Sequence, residues 1–239
     1  MYYRECFTLW FCSALFSNSK IGIPILFSSR STLLNIEKYR EISPTAYADG
    51  LPRSQFMDFG IKAMWQPIPR IAGIAYTVKC HPGDNLMLHA AIYRAKPGSV
   101  IVVEAGNCDY AVSGGNVCAI AQKRGIAGLV VDGVIRDVEE VREAKIPVFA
   151  RGVIPKPGVK ETLGTLNESI SCGGVKVDSG DIIVADEEGI AVIPQSERET
   201  VYRIALARTE KEATETLEEW ETKHRAKIER ILQEKGFSE

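Results

Sequence analysis

The chain holds six cysteines in 239 residues, and no two of them form a C-x-x-C pair. Cys6, Cys12, Cys80, Cys108, Cys118 and Cys172 are scattered, a spacing that suits neither a disulfide framework nor a zinc knuckle. Thiols in apolar or glycine-rich surroundings usually act as small buried hydrophobes, and a reducing, cytoplasmic setting is the simplest reading. An excess of either charge is also lacking. Lys and Arg number 29 against 31 Asp and Glu, a formal net charge of -2. That balance offers no global attraction for nucleic acid or anionic lipid, so neither is expected as a partner. The apolar run from Phe7 to Phe16 is too short to span a bilayer. Arg4 before it faintly imitates an export signal, but Glu5 shares the leading segment and no A-x-A cleavage pattern follows. No internal repeat or low-complexity tract is visible.

What is present is ordinary globular composition, with 45% hydrophobic and 25% charged residues. The length suits one substantial core with an appended arm at either end. Residues 1–34 read as an N-terminal extension, residues 35–194 as an α/β domain, and residues 195–239 as a helical arm. Thr45 to Met57 is expected as a short helix interrupted by Pro52. Ala72 to Cys80 and Ser99 to Ala105 have strand composition, and Asn85 to Ala95 between them reads as helix, with Asp84 placed to cap it. Gly114 to Arg124 is expected as helix, Gly128 to Val131 as strand, Asp137 to Ala144 as helix and Pro147 to Ala150 as strand. This alternation predicts parallel pairing with right-handed crossovers. Residues 165–194 switch to strands and glycine turns, and Asp186 to Gly189 reads as a hairpin turn despite its three acids. The fold class is therefore a mixed layered α/β structure with a β-rich closing segment. From Ser196 to about Lys235 there is no proline and the apolar spacing is helical. One long helix is expected there, with Ser196 and Glu199 as a capping box and a neighbouring subunit as support.

The informative stretch runs from Ser113 to Glu140. Gly114 and Gly115 open a helix whose free N–H groups suit a carboxylate. One helix and one strand later, Arg136 and Asp137 are presented where that strand ends. A βαβ unit brings both loops to the same sheet edge, where α/β sites usually form. The carboxylate and keto oxygen of a 2-oxo acid together chelate one hard divalent ion. Asp137 would be a hard ligand for that ion, with Glu140 binding it directly or through water. Arg136 would hydrogen-bond the keto oxygen as it becomes an enolate. The bland alternative stands beside this one: Asp137-x-x-Glu140 is also a capping box for the next helix, and a glycine pair alone is more often a packing feature.

Taken together, Gly115, twenty residues, Arg136-Asp137, two residues and Glu140 resemble the G-x20-R-D-x2-E/D signature of the RraA-like family. The flanking segments TVKCHPGDNL (from Thr77), AGLVVDGVIRD (from Ala127), PVFARG (from Pro147) and GDIIVADEEGIAVIP (from Gly180) agree, and the resemblance covers about residues 42–215. Residues 1–34 fall outside it. The resemblance implies the layered α/β sandwich of that family, of the swivelling phosphohistidine-domain-like type, and the branch that includes 4-hydroxy-4-methyl-2-oxoglutarate aldolases. It implies metal-dependent cleavage of a C–C bond in such a 2-oxo acid, or in oxaloacetate, releasing pyruvate through an enolate that the metal stabilises. By the same resemblance the backbone of Gly114, Gly115, Asn116 and Val117, with Arg136, binds substrate. Asp137 binds Mg²⁺ or Mn²⁺, and the assembly is a homotrimer in which a neighbour's C-terminal acid, Glu210 or Glu212, completes the site.

One departure stands out. Family aldolases carry an Asp at the position of Gly115, and the variant signature hands its role to Glu140. Asp49 falls in the family's T-x-x-x-D-x-L stretch, with helix capping as its alternative. His81, His89 and His224 lack ligand spacing and read as structural or surface residues. A non-enzymatic regulator that binds a ribonuclease is the runner-up, and a lyase or hydrolase for another small oxo acid is a third reading. A methyltransferase is excluded, because no G-x-G nucleotide loop follows the first strands.

Overall fold

The computed structural model describes residues 35–237, so the expected extension over residues 1–34 lies outside the described residues. A short helix α1 (Glu37–Arg40) and two 3-10 turns, Ala46–Asp49 and Arg53–Gln55, lead to the two-residue strand β1 (Lys62–Ala63). The single helix expected over Thr45 to Met57 is replaced by those two turns. Pro52 between them is extended (φ -65, ψ 153), as a residue with no N–H to donate permits.

The core follows as β2 (Ile71–Lys79), α2 (Leu86–Ala91), β3 (Val100–Glu104), β4 (Ala111–Ser113), α3 (Gly115–Lys123), β5 (Gly128–Ile135), α4 (Val138–Glu143) and β6 (Val148–Val153). Strands β2, β3, β5 and β6 pair in parallel in that order, as the alternation predicts. The closing segment supplies β7 (Thr165–Leu166), β8 (Ile170–Cys172), β9 (Val175–Val177), β10 (Ile182–Asp186) and β11 (Gly189–Ile193). Strand β10 runs antiparallel to both β2 and β11. The result is a nine-stranded mixed sheet with the main order β1-β6-β5-β3-β2-β10-β11, while β8 and β9 form a separate hairpin. The Asp186 to Gly189 turn is a hairpin as expected, and Asp186 there accepts the Glu188 N–H (3.0 Å) and pairs with Arg70 (2.9 Å).

The central strands are apolar on both faces, as strands covered on both sides must be. Ile101, Val103, Leu129 and Val131 point into a cluster with Leu88, Ala121 and Val141 of the helical layer. Their neighbours Val100, Val102 and Val130 point the other way, against Phe149, Ile183, Val192 and the β8-β9 hairpin. Three layers result, helices on one face and β structure on the other, which is the layered sandwich expected.

The C-terminal arm departs from expectation. It is two helices, α5 (Arg198–Thr214) and α6 (Leu217–Glu234), with an extended break at Glu215 and Thr216. The capping box sits at the break: Thr216 Oγ1 accepts the Glu219 N–H (3.2 Å) and the Glu219 carboxylate accepts the Thr216 N–H (3.2 Å). At Ser196 there is none. Glu199 instead takes Lys38 Nζ (2.8 Å) and Tyr39 Oη (3.3 Å), tying α5 back to α1. Helix α5 buries Val201 and Ala205, whereas α6 buries no residue. With so little tertiary support the cap carries much of α6. Thr216→Ala should cost about 1 kcal/mol locally, read as faster amide exchange confined to residues 217–234, and unchanged exchange there would show that the cap does not hold the helix.

Candidate active site

The helices that follow the parallel strands start at the strands' carboxyl edge, and there the chain gathers its polar side chains. Strand β4 lies parallel to the end of β5, with Ala111 opposite Val134 and Ser113 opposite Ile135. That pairing, together with the Arg136 N–H to Ser113 O bond (3.0 Å), puts the turn into α3 beside the turn into α4. Sequence reading does not foresee β4, which is three residues long, yet β4 sets the geometry of the site.

Asp137 is the pivot. Its backbone is left-handed (φ 56, ψ 46), a region Asp tolerates better than most residues at a cost on the order of 1 kcal/mol. A capping box needs an extended residue at this position, and Asp137 makes no side-chain cap to its own helix. The capping reading of Asp137 and Glu140 is thus overturned. The turn aims the carboxylate at the other helix instead: Asp137 Oδ2 accepts the Gly115 N–H (3.2 Å) and lies 3.3 Å from Arg136 Nε. Both side chains stay partly open, Arg136 at 42% and Asp137 at 35%.

The glycine pair is required by this approach. A Cβ on Gly114 would lie 2.5 Å from Asp137 Oδ2, and one on Gly115 would lie 2.7 Å from Glu140 Cβ. The N–H of Gly115 is already used by Asp137. The first backbone bond into α3 is Cys118 N–H to Gly114 O (3.0 Å), so the N–H groups of Asn116 and Val117 precede the helical ladder.

A cleft of about 180 Å3 opens here, lined by Asn85, Ser113, Gly114, Asn116, Val117, Arg136 and Asp137, with His89 and Lys160 on its far wall. Burial holds the His89 imidazole below its ordinary range, and the Lys160 charge adds to that. A larger groove of about 820 Å3 opens at the opposite edge, beside Ile71, Ser99 and Ala127. Those residues lie where the parallel strands begin, the edge at which α/β sheets do not usually place their chemistry.

Of the residues expected in the site, Gly114, Asn116, Val117, Arg136 and Asp137 line the cleft, and Gly115 is bonded to Asp137. Glu140 packs against Gly115 but is exposed and does not line the cleft. Asp49 is not gathered there: it pairs with Arg208 of α5 (2.8 Å), and Glu212 pairs with the same arginine (2.9 Å). Asn85, His89 and Lys160 are polar lining residues that spacing did not find. His89 sits one helical turn beyond Asn85 and Lys160 lies in a loop, so neither carries a periodic signal. Cys118 nearby is no nucleophile, because burial pushes its thiol up to about 11.

Among the described residues no three His, Cys, Asp or Glu side chains converge as a metal cage. A closed site of the zinc type is therefore absent from the described part of a single chain. One partly open carboxylate fits a hard cation of the Mg²⁺ class, which keeps several waters and takes further oxygens from its ligand.

Backbone N–H groups, an arginine and a carboxylate around a small cleft at the carboxyl edge of a parallel sheet are an arrangement whose chemistry suits a small anionic molecule. The chain belongs to the RraA-like family, whose Aldolase/RraA model matches residues 46–192. A protein of Halalkalibacterium halodurans, named provisionally as a 4-hydroxy-4-methyl-2-oxoglutarate aldolase, is 39% identical over 171 residues, which is 71% of this chain and 81% of that protein. The 4-hydroxy-4-methyl-2-oxoglutarate aldolase of Thermus thermophilus is 33% identical over 141 residues, 59% of this chain and 82% of that one. The solved structure of the RNA-processing inhibitor RraA from Thermus thermophilus superposes with a TM-score of 0.58 at 31% identity, covering 63% of this chain and 92% of that chain.

The contact between Gly115 and Glu140 yields a test. Gly115→Asp, which introduces the residue expected at this position in family aldolases, should cost about 1–3 kcal/mol by overpacking. In a Glu140→Gly background the same change should cost less, with a coupling of at least about 0.5 kcal/mol. Denaturant melts of the four proteins read this, and strict additivity would mean that the two positions do not compete for space.

Proposed function

We propose that the chain is a divalent-metal-dependent lyase. It cleaves a C–C bond of a pyruvyl-containing 2-oxo acid, 4-hydroxy-4-methyl-2-oxoglutarate or oxaloacetate, and releases pyruvate. The observation that carries this reading is the convergence of Arg136, Asp137, Asn116 and Val117 on one cleft at the start of α3. The names of the two aldolase relatives support it.

In the retro-aldol direction the C4 hydroxyl loses its proton and the C3–C4 bond breaks. The bond's electron pair moves into the enolate of pyruvate, which then takes a proton at C3. Negative charge therefore grows on the C2 oxygen. Arg136 lines the cleft, where its guanidinium donates to that oxygen as it charges, a contact stronger in the transition state than in the substrate. The N–H groups of Asn116 and Val117 hold the C1 carboxylate at the positive end of α3. Asp137, with Glu140 directly or through water, would hold Mg²⁺ or Mn²⁺, which supplies Lewis-acid polarisation when bound. The bond from Gly115 keeps the Asp137 carboxylate oriented. A regulator that only binds a ribonuclease has no need of a preformed anion cleft, so the lyase reading is preferred.

Pyruvate release should vanish in EDTA and return with Mg²⁺ or Mn²⁺, while full activity in chelator would defeat the metal-dependent reading. Arg136→Ala should lower kcat by about 10²–10³-fold. Asp137→Asn keeps a side chain that tolerates the left-handed turn, so its thermal midpoint should stay near wild type while turnover collapses. A stable Asp137→Asn protein with normal turnover would place the chemistry elsewhere.

The assembly that goes with this reading is a homotrimer in which a neighbour contributes Glu210 or Glu212. The exposed Leu217, Trp220 and Ile228 of α6 support an assembly, since such a face gains stability by being covered. Light scattering should return about three times the 26.3 kDa chain mass, and a monomer at micromolar concentration would remove the neighbour's acids from the site.

A further inference from the structure

The helical layer does not cover its face of the sheet evenly, and the gap lies over the amino half of β2. Ile74, Tyr76 and Val78 point to that face. Helix α2, which packs there, has six residues and is about 9 Å long. The nine residues of β2 run for about 30 Å. Val78 is fully buried in the cluster that holds Leu88 of α2, but Ile74 is 39% exposed. Helix α1 does not close the gap. It has four residues, and its buried Tyr39 packs on Tyr202 of α5 (ring centroids 5.3 Å). One strand away the cover resumes, because Ile182, opposite Ile74 on β10, is fully buried.

This gap is the groove of about 820 Å3 at the amino edge, a size usual for small-molecule sites, which run to about 300–1,000 Å3. Its apolar surface comes from Ile36, Ile71, Ile74, Tyr76, Pro97 and Ala127. The turn at Pro97 and Gly98 leaves it open, since a Cβ on Gly98 would meet no atom within 4 Å. Charge on the walls is one-sided. Arg94 and Lys96 stand between α2 and β3 and Arg40 on α1, while Glu37 is the one acid among the described lining residues. Glu37 is taken by Arg40, which leaves Arg94 and Lys96 without an acid in the described lining.

An aliphatic floor and unmatched cations on one wall ask for an anion with an apolar body. A neutral lipid would leave the cations unmatched, and a small inorganic anion would leave Ile74 in water. We propose that this groove binds an amphipathic carboxylate, its alkyl chain lying on Ile71 and Ile74 and its head at Arg94 and Lys96. The inference does not rest on the lyase reading, because the groove and the cleft lie at opposite edges of the sheet and share no described lining residue.

Calorimetry on the full chain tests it with butanoate, hexanoate, octanoate and octanol. Affinity should rise by at least about twofold per methylene from butanoate to octanoate, full burial of a methylene being worth about fourfold. Octanoate should bind at least about tenfold more tightly than octanol, the size of one charge-assisted hydrogen bond. Lys96→Glu should remove most of that preference and Lys96→Arg should keep it. Lys96 is exposed, so both should melt like wild type. Ile74→Trp fills the floor with a side chain that strands favour and should abolish octanoate binding. Arg136→Ala, at the other edge, should leave the octanoate affinity unchanged. Loss of affinity in Arg136→Ala would put the carboxylate in the cleft and overturn the groove. So would no heat from octanoate at millimolar concentration, equal binding of octanol, no dependence on chain length, or wild-type behaviour of Lys96→Glu.

Discussion

The carboxylate of Asp137 is held by the N–H of Gly115, across the gap between two successive βα turns, and the cleft depends on that one bond. The bond forms because Asp137 adopts a left-handed backbone that points its side chain away from its own helix. It also needs a neighbour with no side chain, since a Cβ on Gly114 would collide with the same carboxylate oxygen. A left-handed Asp and a glycine pair are each local features with a small energetic cost. Together they place an acid, an arginine and two free N–H groups within reach of one small ligand.

Around that contact the fold supplies rigidity. Strands β3 and β5 are covered on both faces, so the ends that carry the turns are fixed by packed valine and isoleucine layers. The far wall is fixed differently. Its loop has no strand or helix of its own and depends on Asp84, whose two carboxylate oxygens satisfy three backbone donors. Two modes of support, apolar packing and a buried acid, therefore face each other across a cleft of about 180 Å3.

The relation between Gly115 and Glu140 shows how a departure from a family pattern can be accommodated. The space that an Asp side chain would need at position 115 is occupied by the Glu140 stem. Each residue makes sense only with the other. Glu140 itself is exposed and lies outside the cleft lining.

Much of this protein was determined by sequence alone. Strands rich in Val and Ile separated by short helices dictate a parallel sheet, because the pattern of burial on both faces has few other solutions. The spacing from Gly115 through Arg136 and Asp137 to Glu140 pointed to the two turns that flank the cleft, because a βαβ unit returns the chain to the same edge. Tertiary structure decided what spacing cannot encode. Asp137 and Glu140 fit a capping box equally well on paper, and only the left-handed backbone at Asp137 discriminates. Sequence places the capping box at Ser196 and Glu199, whereas the structure forms it at Thr216 and Glu219, where the expected single helix breaks in two. Asp49, expected near the site from the stretch Thr45 to Leu51, is claimed by Arg208 of a helix that follows it by well over a hundred residues. His89 and Lys160 meet through bonds between the segments around residues 84 and 160, and such long-range contacts leave no period in the sequence to read.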